Sequence, residues 1–352
     1  MTPGPRPAVL PRLGLGTVAL GGLYTPTPAD EAQALLEHAV GRGIRYLDTA
    51  PMYGLTTSER RLGAFLDRSG RRDDLVLSTK VGRRMTPVRL QPGGLRAGDG
   101  NAFGWRNPGP YVQRWDYTAD GILRSVEDSL DRLGTDRLDV VHVHDIGALI
   151  HGSDNARHVA DLRGGGWQAL DDLRSAGVLD RVGVDVNELA AVDAALDDVD
   201  LDCALVAGCV TLLDQPADDS VLRRCAERGV ALVAGGVFAA GALTGAGRYA
   251  YTDAPPEVLA TVDRLRAVCD RHDVPLPAAA LQLVAGSPWF TSVLIGPRDA
   301  AELDQDLAWL ELPVPPELWS DLVAAGLLDV RWVPTRTVEG IVEGPVGVTD
   351  PS

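Results

Sequence analysis

Short apolar runs alternate with longer stretches of helical periodicity along most of the chain. The apolar runs predict strands at Leu13–Ala19, Arg45–Asp48, Leu75–Lys80, Asp139–His144, Arg181–Val186, Ala204–Ala207, Ala231–Ala234 and Ser292–Ile295. The periodic stretches predict helices at Ala29–Arg42, Ser58–Arg68, Asp120–Leu133, Gln168–Ala176, Ser220–Arg228, Pro256–Arg271 and Asp299–Leu310. Thr57 and Ser58 ahead of Glu59 have the character of a helix cap, and Gly41, Gly134, Gly177 and Gly229 have the character of helix stops. Strands that are apolar on both faces are covered by helices on both sides, which calls for a parallel sheet. An open doubly wound sheet and a closed (β/α)8 TIM barrel both satisfy that pattern. Eight units over most of the chain favour the barrel, and no G-x-G-x-x-G follows a predicted strand.

Three segments break the alternation: Gly82–Tyr117, rich in Gly, Pro, Arg and aromatics; Gly236–Pro256; and the tail from Asp329. Loops of such length in a compact domain are usually functional, and here they are expected at the C-terminal face of the strands. Residues 1–328 are therefore taken as one (β/α)8 domain, and residues 329–352 as a tail contributing to a substrate lid, with Trp332 as its anchor.

The 352 residues carry a formal charge of −16. An acidic chain is a poor match for nucleic acid or an anionic membrane surface, so neither is an expected partner. The uncharged stretch Gly229–Gly247 holds six glycines and suits a buried strand followed by a loop better than a membrane span. Cys203, Cys209, Cys225 and Cys269 form no C-x-x-C pair and read as free thiols of a cytoplasmic protein. No metal motif is present, so no metal is expected. Nothing in the pattern assigns an oligomeric state.

In a barrel the reactive side chains sit at the C-terminal ends of strands. Asp48, Lys80 and His144 end the second, third and fourth strands; Asp145 and Asn187 follow close by, and Tyr53 lies in the loop after Asp48. A Lys beside a Tyr favours the phenolate and is expected to lower the tyrosine pKa, while an Asp keeps that Lys charged. A tuned tyrosine can give a proton to a carbonyl oxygen or take one from an alcohol, and a histidine beside it can stabilise the developing charge. Such a set moves protons but holds no nucleophile, so a hydride carrier is the natural supplement. His142 is read as facing away from His144, against a helix. His38, His158 and His272 are read as surface positions, His151 as a loop residue near the pocket, and Arg83 with Arg84 as a solvated pair.

Asp48-Thr49-Ala50-Pro51-Met52-Tyr53-Gly54 resembles the D-T-A-x-x-Y-G signature of aldo-keto reductases. Leu77-Ser78-Thr79-Lys80 and Leu138-Asp139-Val140-Val141-His142-Val143-His144 resemble two further motifs of that family, in the same order. The resemblance runs from about Leu13 to about Leu328 and implies a catalytic tetrad of Asp48, Tyr53, Lys80 and His144. Asp145, the stretch Gly183–Glu188 and Thr211-Leu212-Leu213-Asp214-Gln215 look like the sugar-oxidising branch, which includes L-fucose and D-threo-aldose 1-dehydrogenases and a related pyridoxal 4-dehydrogenase. That likeness implies oxidation of the C1 hemiacetal of an aldose to a lactone, with Tyr53 as general acid/base. The alternatives are NADPH-dependent reduction of an aldehyde or ketone, such as pyridoxal or a secondary metabolite, and a nucleotide-binding regulatory subunit with little activity.

The same resemblance implies cofactor contacts at Thr17, Asp185, Asn187, Gly235, Phe238, Gly296, Arg298, Glu302 and Asp306. Glu302 and Asp306 stand where many NADP-using relatives carry Arg and Asn, which tilts the cofactor toward NAD, with NADP as the alternative. Gly235 replaces the tyrosine that stacks on the nicotinamide in many reductases, with Phe238 as the candidate substitute, and Val210 replaces a tyrosine of the sugar-oxidising branch. Tyr24, Trp105 and Trp115 are the candidate substrate contacts; the two tryptophans serve equally well as a lid or as loop anchors.

Overall fold

A computed structural model describes residues 10–90, 104–106, 108–250, 252–338, 340 and 341. Every expected strand forms, within a few residues of its expected limits: β1 (Leu13–Gly16), β2 (Tyr46–Asp48), β3 (Val76–Val81), β4 (Leu138–His144), β5 (Leu179–Val186), β6 (Cys203–Ala207), β7 (Ala231–Gly235) and β8 (Phe290–Ile295). They close into a parallel barrel in the order β1-β8-β7-β6-β5-β4-β3-β2.

Two apolar clusters hold it. Leu10, ahead of β1, and Tyr46, Val76, Val140, Cys203, Leu205, Val233 and Leu294, from the strands, form one. The larger one packs strands against helices, with Leu35, Leu36, Leu62 and Phe65 among its members. Helix Ala119–Leu133 starts on Thr118, whose hydroxyl accepts from the Gly121 amide at 3.1 Å, and helix Ala300–Glu311 starts on Asp299, which accepts from the Glu302 amide. Helix Thr57–Ser69 departs from expectation: Ser58 does not cap it but turns inward to Thr17 and Thr49. Helix Leu276–Ala285 is legible only in the structure, because nearly every residue of it is buried and no polar stripe marks a period.

The segment after β3 is not an open loop where it leaves the barrel. Arg83–Pro87 pairs antiparallel with Tyr111–Trp115, placing Arg83 opposite Trp115. The tip of this hairpin falls largely outside the described residues. The segment after β7 carries a small hairpin of Arg248–Tyr249 and Thr252–Asp253. The described part of the tail, to Ile341, runs to the opposite mouth of the barrel. The amides of Thr335 and Arg336 donate to the Gly286 carbonyl just before β8, and Arg12, just before β1, reaches the Thr337 carbonyl. Trp332, the expected anchor, is buried. Of the tail 329–352, expected to contribute to a substrate lid, the start bonds the loop after β6 through Asp329 and Arg331, and residues 339 and 342–352 lie outside the described residues. Among the described residues no helix is long and apolar enough to cross a membrane. The four cysteines are free, three of them buried and Cys209 half-buried.

Candidate active site

Strand stagger brings the chemistry together. Asp48 pairs in register with Ser78, so Lys80, two residues further along β3, projects beyond it on the same face. Lys80 pairs with His142 and His144 with Asp185, which carries the cluster on to β4 and β5. The Lys80 side chain is 0% exposed, and its Nζ donates to Asp48 Oδ2 at 2.6 Å, the Thr49 carbonyl at 2.9 Å and Tyr53 Oη at 3.1 Å. Asp48 is held from its other side by the Ser78 hydroxyl. The Tyr53 and His144 rings meet edge to face, centroids 6.4 Å apart. The expected tetrad of Asp48, Tyr53, Lys80 and His144 is thus one contiguous buried cluster.

Its electrostatics follow from burial and partners. Burial works against the Lys80 charge, but Asp48, Tyr53 and Asp185 outweigh it and hold the ammonium charged well above its ordinary range. Burial dominates at Tyr53, so its pKa lies above the ordinary value although Lys80 pulls it down. The expectation of a net lowering is therefore corrected: a Tyr only 9% exposed loses more by giving up hydration than one ammonium restores. Burial, with Arg83 and Lys80 nearby, keeps His144 neutral.

His142 corrects another expectation. Residues two apart on a strand share a face, so His142 lies on the inner face with His144, one layer deeper. Burial holds its pKa down at about 4. Arg83 is not solvated either. It is buried, its Nε donates to Asp145 Oδ2 at 2.7 Å, and its guanidinium lies 4.1 Å from the Trp115 ring centre. His158, expected at the surface, is buried against Tyr117 and His151.

Among the expected substrate residues, Trp105 is buried with its ring 6.1 Å from that of Tyr53, so it packs against the tyrosine of the tetrad. Trp115 stands one layer back, stacked on Tyr117 and edge-on to His151, and acts as an anchor for the hairpin. Tyr24 lies under the Arg248 guanidinium at 4.1 Å, joining the loop after β1 to the segment after β7.

The expected cofactor residues divide. Asn187, half-buried after β5, donates from Nδ2 to the Ala207 carbonyl at the end of β6. Gly296 and Arg298 are exposed just beyond β8. Glu302 engages Arg298, accepting from its Nε and its backbone amide, both at 2.8 Å. Asp306, one turn on, has its carboxyl pushed up to about 7 by burial and by Glu302. Gly235 ends β7, and the Phe238 ring packs on Trp309 at 6.0 Å. Thr17 is fully buried, its hydroxyl donated to the Asp48 carbonyl at 2.9 Å. Asp185 lies in the tetrad cluster, 3.6 Å from Lys80 Nζ and 3.5 Å from His144 Nε2.

Sequence reasoning missed Tyr117, whose buried hydroxyl donates to the His144 carbonyl at 2.7 Å. It also missed Ser78 as a partner of Asp48, although its place two residues before Lys80 on an inward face was a usable signal.

A model of the Aldo/keto reductase family matches residues 12–326. The chain is 42% identical to a pyridoxal 4-dehydrogenase of Microbacterium luteolum, over 90% of this chain and 94% of the relative. It is 40% identical to a D-threo-aldose 1-dehydrogenase of a Pseudomonas species, over 91% of this chain and 95% of the relative. An aldo-keto reductase of Bacillus halodurans, solved in a holo form, superposes with a TM-score of 0.67 at 22% identity, covering 93% of this chain and 95% of that one; it shares the fold.

Proposed function

The chain belongs to the aldo/keto reductase family and is an oxidoreductase using a nicotinamide cofactor, and from that premise we propose that it oxidises the C1 hemiacetal of an aldose or related hydroxylated ring to a lactone. The observation that carries the reading is the buried Asp48–Lys80–Tyr53 chain, which holds one phenolic oxygen against an ammonium, with Trp105 packed near the Tyr53 ring. A bound nicotinamide supplies the hydride acceptor. Tyr53 Oη takes the proton of the anomeric hydroxyl, and Lys80 stabilises the phenolate that does so. His144 stands beside it to bond the same substrate oxygen. The two relatives, named for an aldose and for pyridoxal, agree with a small hydroxylated substrate.

NAD is the cofactor this site favours. Asn187 would hold the carboxamide end, and Gly296 with Arg298 the adenosine end. A 2′-phosphate would meet Glu302 and a guanidinium already paired with it, whereas a ribose hydroxyl can donate to that carboxylate.

One observation favours a second reading, reduction of an aldehyde or ketone with NADPH: burial keeps Tyr53 as the neutral phenol, a proton donor. The intact tetrad weighs against a purely regulatory subunit. The test is an assay of the purified protein with NAD and NADP against aldoses, pyridoxal and simple alcohols, beside Tyr53→Phe. Aldose oxidation with NAD, lost in the variant, upholds the first reading. Turnover confined to carbonyls with NADPH replaces it with the second.

A further inference from the structure

The cluster around Lys80 contains a carboxylate that the tetrad does not use. Asp185 is buried, and its Oδ2 lies 3.6 Å from Lys80 Nζ and 3.5 Å from His144 Nε2. The position follows from register: His144 and Asp185 are cross-strand partners on β4 and β5, so their side chains leave the same inner face side by side. The groups that face this carboxyl are Lys80 from β3, Asp48 from β2, Tyr53 from the loop after β2, His144 and Asp145 from the end of β4, and Cys209 after β6.

The charges pair off unevenly. Lys80 bonds Asp48 at 2.6 Å, and Arg83 bonds Asp145 at 2.7 Å. Asp185 is left with a share of Lys80 at longer range. A buried carboxylate with no cation of its own is expensive unless a donor reaches it. His144 is the donor at hand. Its Nε2 faces Asp185 and, at 3.3 Å, Asp145, while its Nδ1 has no hydrogen-bond partner among the described residues. A neutral imidazole carries one proton, and two facing carboxylates fix that proton on Nε2.

We propose that Asp185 is a positioning residue for His144: in the free protein its carboxylate holds the imidazole in the Nε2–H tautomer, the N–H that is then offered to the substrate oxygen, and proton uptake by that carboxyl releases the tautomer. The protonated carboxyl loses the charge that attracts the Nε2–H and Lys80, keeps only a weaker carbonyl acceptor, and gains an O–H that donates. Burial, opposed by Lys80 and reinforced by Asp145 and Asp48, pushes this carboxyl up to about 7, which puts the switch in the neutral range. Asp185 thereby belongs with the proton-transfer cluster, rather than with the cofactor contacts that the sequence pattern suggested.

The spectroscopic arm of the test needs no substrate, so it stands apart from the proposed function, on which only the kinetic arm rests. Full-length protein labelled with 15N-histidine is titrated by NMR from about pH 5 to about pH 9, as wild type, D185N and D185S. D185N keeps the shape and an acceptor oxygen without the titration, and D185S serves if D185N folds poorly. The expected result is a shift of the His144 nitrogen signals with a midpoint in the neutral range in wild type, absent from both variants. In the kinetic arm, wild-type kcat/KM for oxidation falls below that midpoint by about a further tenfold per pH unit on top of the slope set by Tyr53, and the variants keep the Tyr53 slope but lose this added steepness. An unchanged His144 titration in the variants overturns the proposal, as does a wild-type His144 that shows no titration. Variants altered only in nicotinamide affinity return Asp185 to the cofactor contacts. A wild type that titrates as expected but turns over no substrate leaves Asp185 in place and removes the reading of the reaction.

Discussion

Lys80 and Tyr53 are 27 positions apart in sequence and 3.1 Å apart at Nζ and Oη. The ammonium also lies 4.7 Å from the centre of the Tyr53 ring, so it meets both the oxygen and the π face. Two effects compete over one proton. The ammonium favours phenolate, burial favours phenol, and burial wins in the free protein.

The direction of that shift sets the pH dependence of the proposed reaction. Oxidation needs the phenolate, whose fraction grows tenfold per pH unit while the pH is below the tyrosine pKa. With that pKa above its ordinary value, kcat/KM for oxidation should climb throughout the neutral and alkaline range. The reductive direction needs the phenol and should be level there. Tyr53→Phe should remove the slope and lower kcat by about 10²–10⁴-fold, with an unchanged melting temperature. A bell-shaped oxidation profile peaking near neutrality would assign the base to another group.

Lys80 has a structural role as well. Replacing it with Met leaves Asp48 and Asp185 buried beside each other and strips the Thr49 carbonyl of its donor. Breaking a buried pair this way costs about 3–5 kcal/mol. The two carboxyls escape part of that cost by holding protons, so the loss should be larger at pH 8 than at pH 5. Denaturant melts of Lys80→Met at the two pH values check this; equal losses would show that water or rearrangement hydrates the carboxylates.

The tetrad was legible because each member ends a strand or follows one in a spaced motif, and a barrel gathers strand ends on one rim. Arg83 was not, because its partner Asp145 lies 62 positions away and a pair of arginines next to a glycine has the composition of a solvated turn. His142 was misread on parity alone: a period of two puts it under His144. Ser58 has the chemistry of a cap, yet Thr17 and Thr49 claim its hydroxyl, a tertiary contact that local pattern does not contain. Asp185 sat in a stretch resembling a nucleotide contact, and only the register of β4 on β5 shows what it faces.

Asp306 makes a prediction about stability. Its carboxyl is pushed up to about 7 in the folded protein, by burial first and by Glu302 second, against about 3.9 for an unfolded Asp. Between those values the folded state holds a proton that the unfolded state has released, so this residue makes stability fall as pH rises from about 4 to about 7 and level off above. Asp306→Asn removes the effect. At pH 8 the variant should melt a few degrees higher than wild type, and the gap should close at pH 4. A variant that melts lower at both values would mean the carboxylate makes a contact that matters more than its burial.

Glu302 carries the cofactor prediction. It holds Arg298 through Nε, Nη2 and the backbone amide, which both neutralises the cation and secures the start of helix Ala300–Glu311. Arg298 is exposed, so the ion pair itself contributes little to stability; its effect is to decide which charge an incoming ribose meets. Glu302→Gln retains a side-chain oxygen for the Arg298 amide and the ribose hydroxyl while removing the negative charge. NADP affinity should rise by about tenfold, near 1.4 kcal/mol, and NAD affinity should change by less than about threefold, giving a switch in ratio that comes almost wholly from the phosphate. Glu302→Arg should go further for NADP and weaken NAD, because the hydroxyl then loses its acceptor. Fluorescence titrations of both nucleotides against the three proteins separate the terms. If Glu302→Gln weakens both nucleotides equally, the carboxylate acts through the helix start and not through charge, and the preference for NAD would have to come from Asp306 or from the backbone beyond β8.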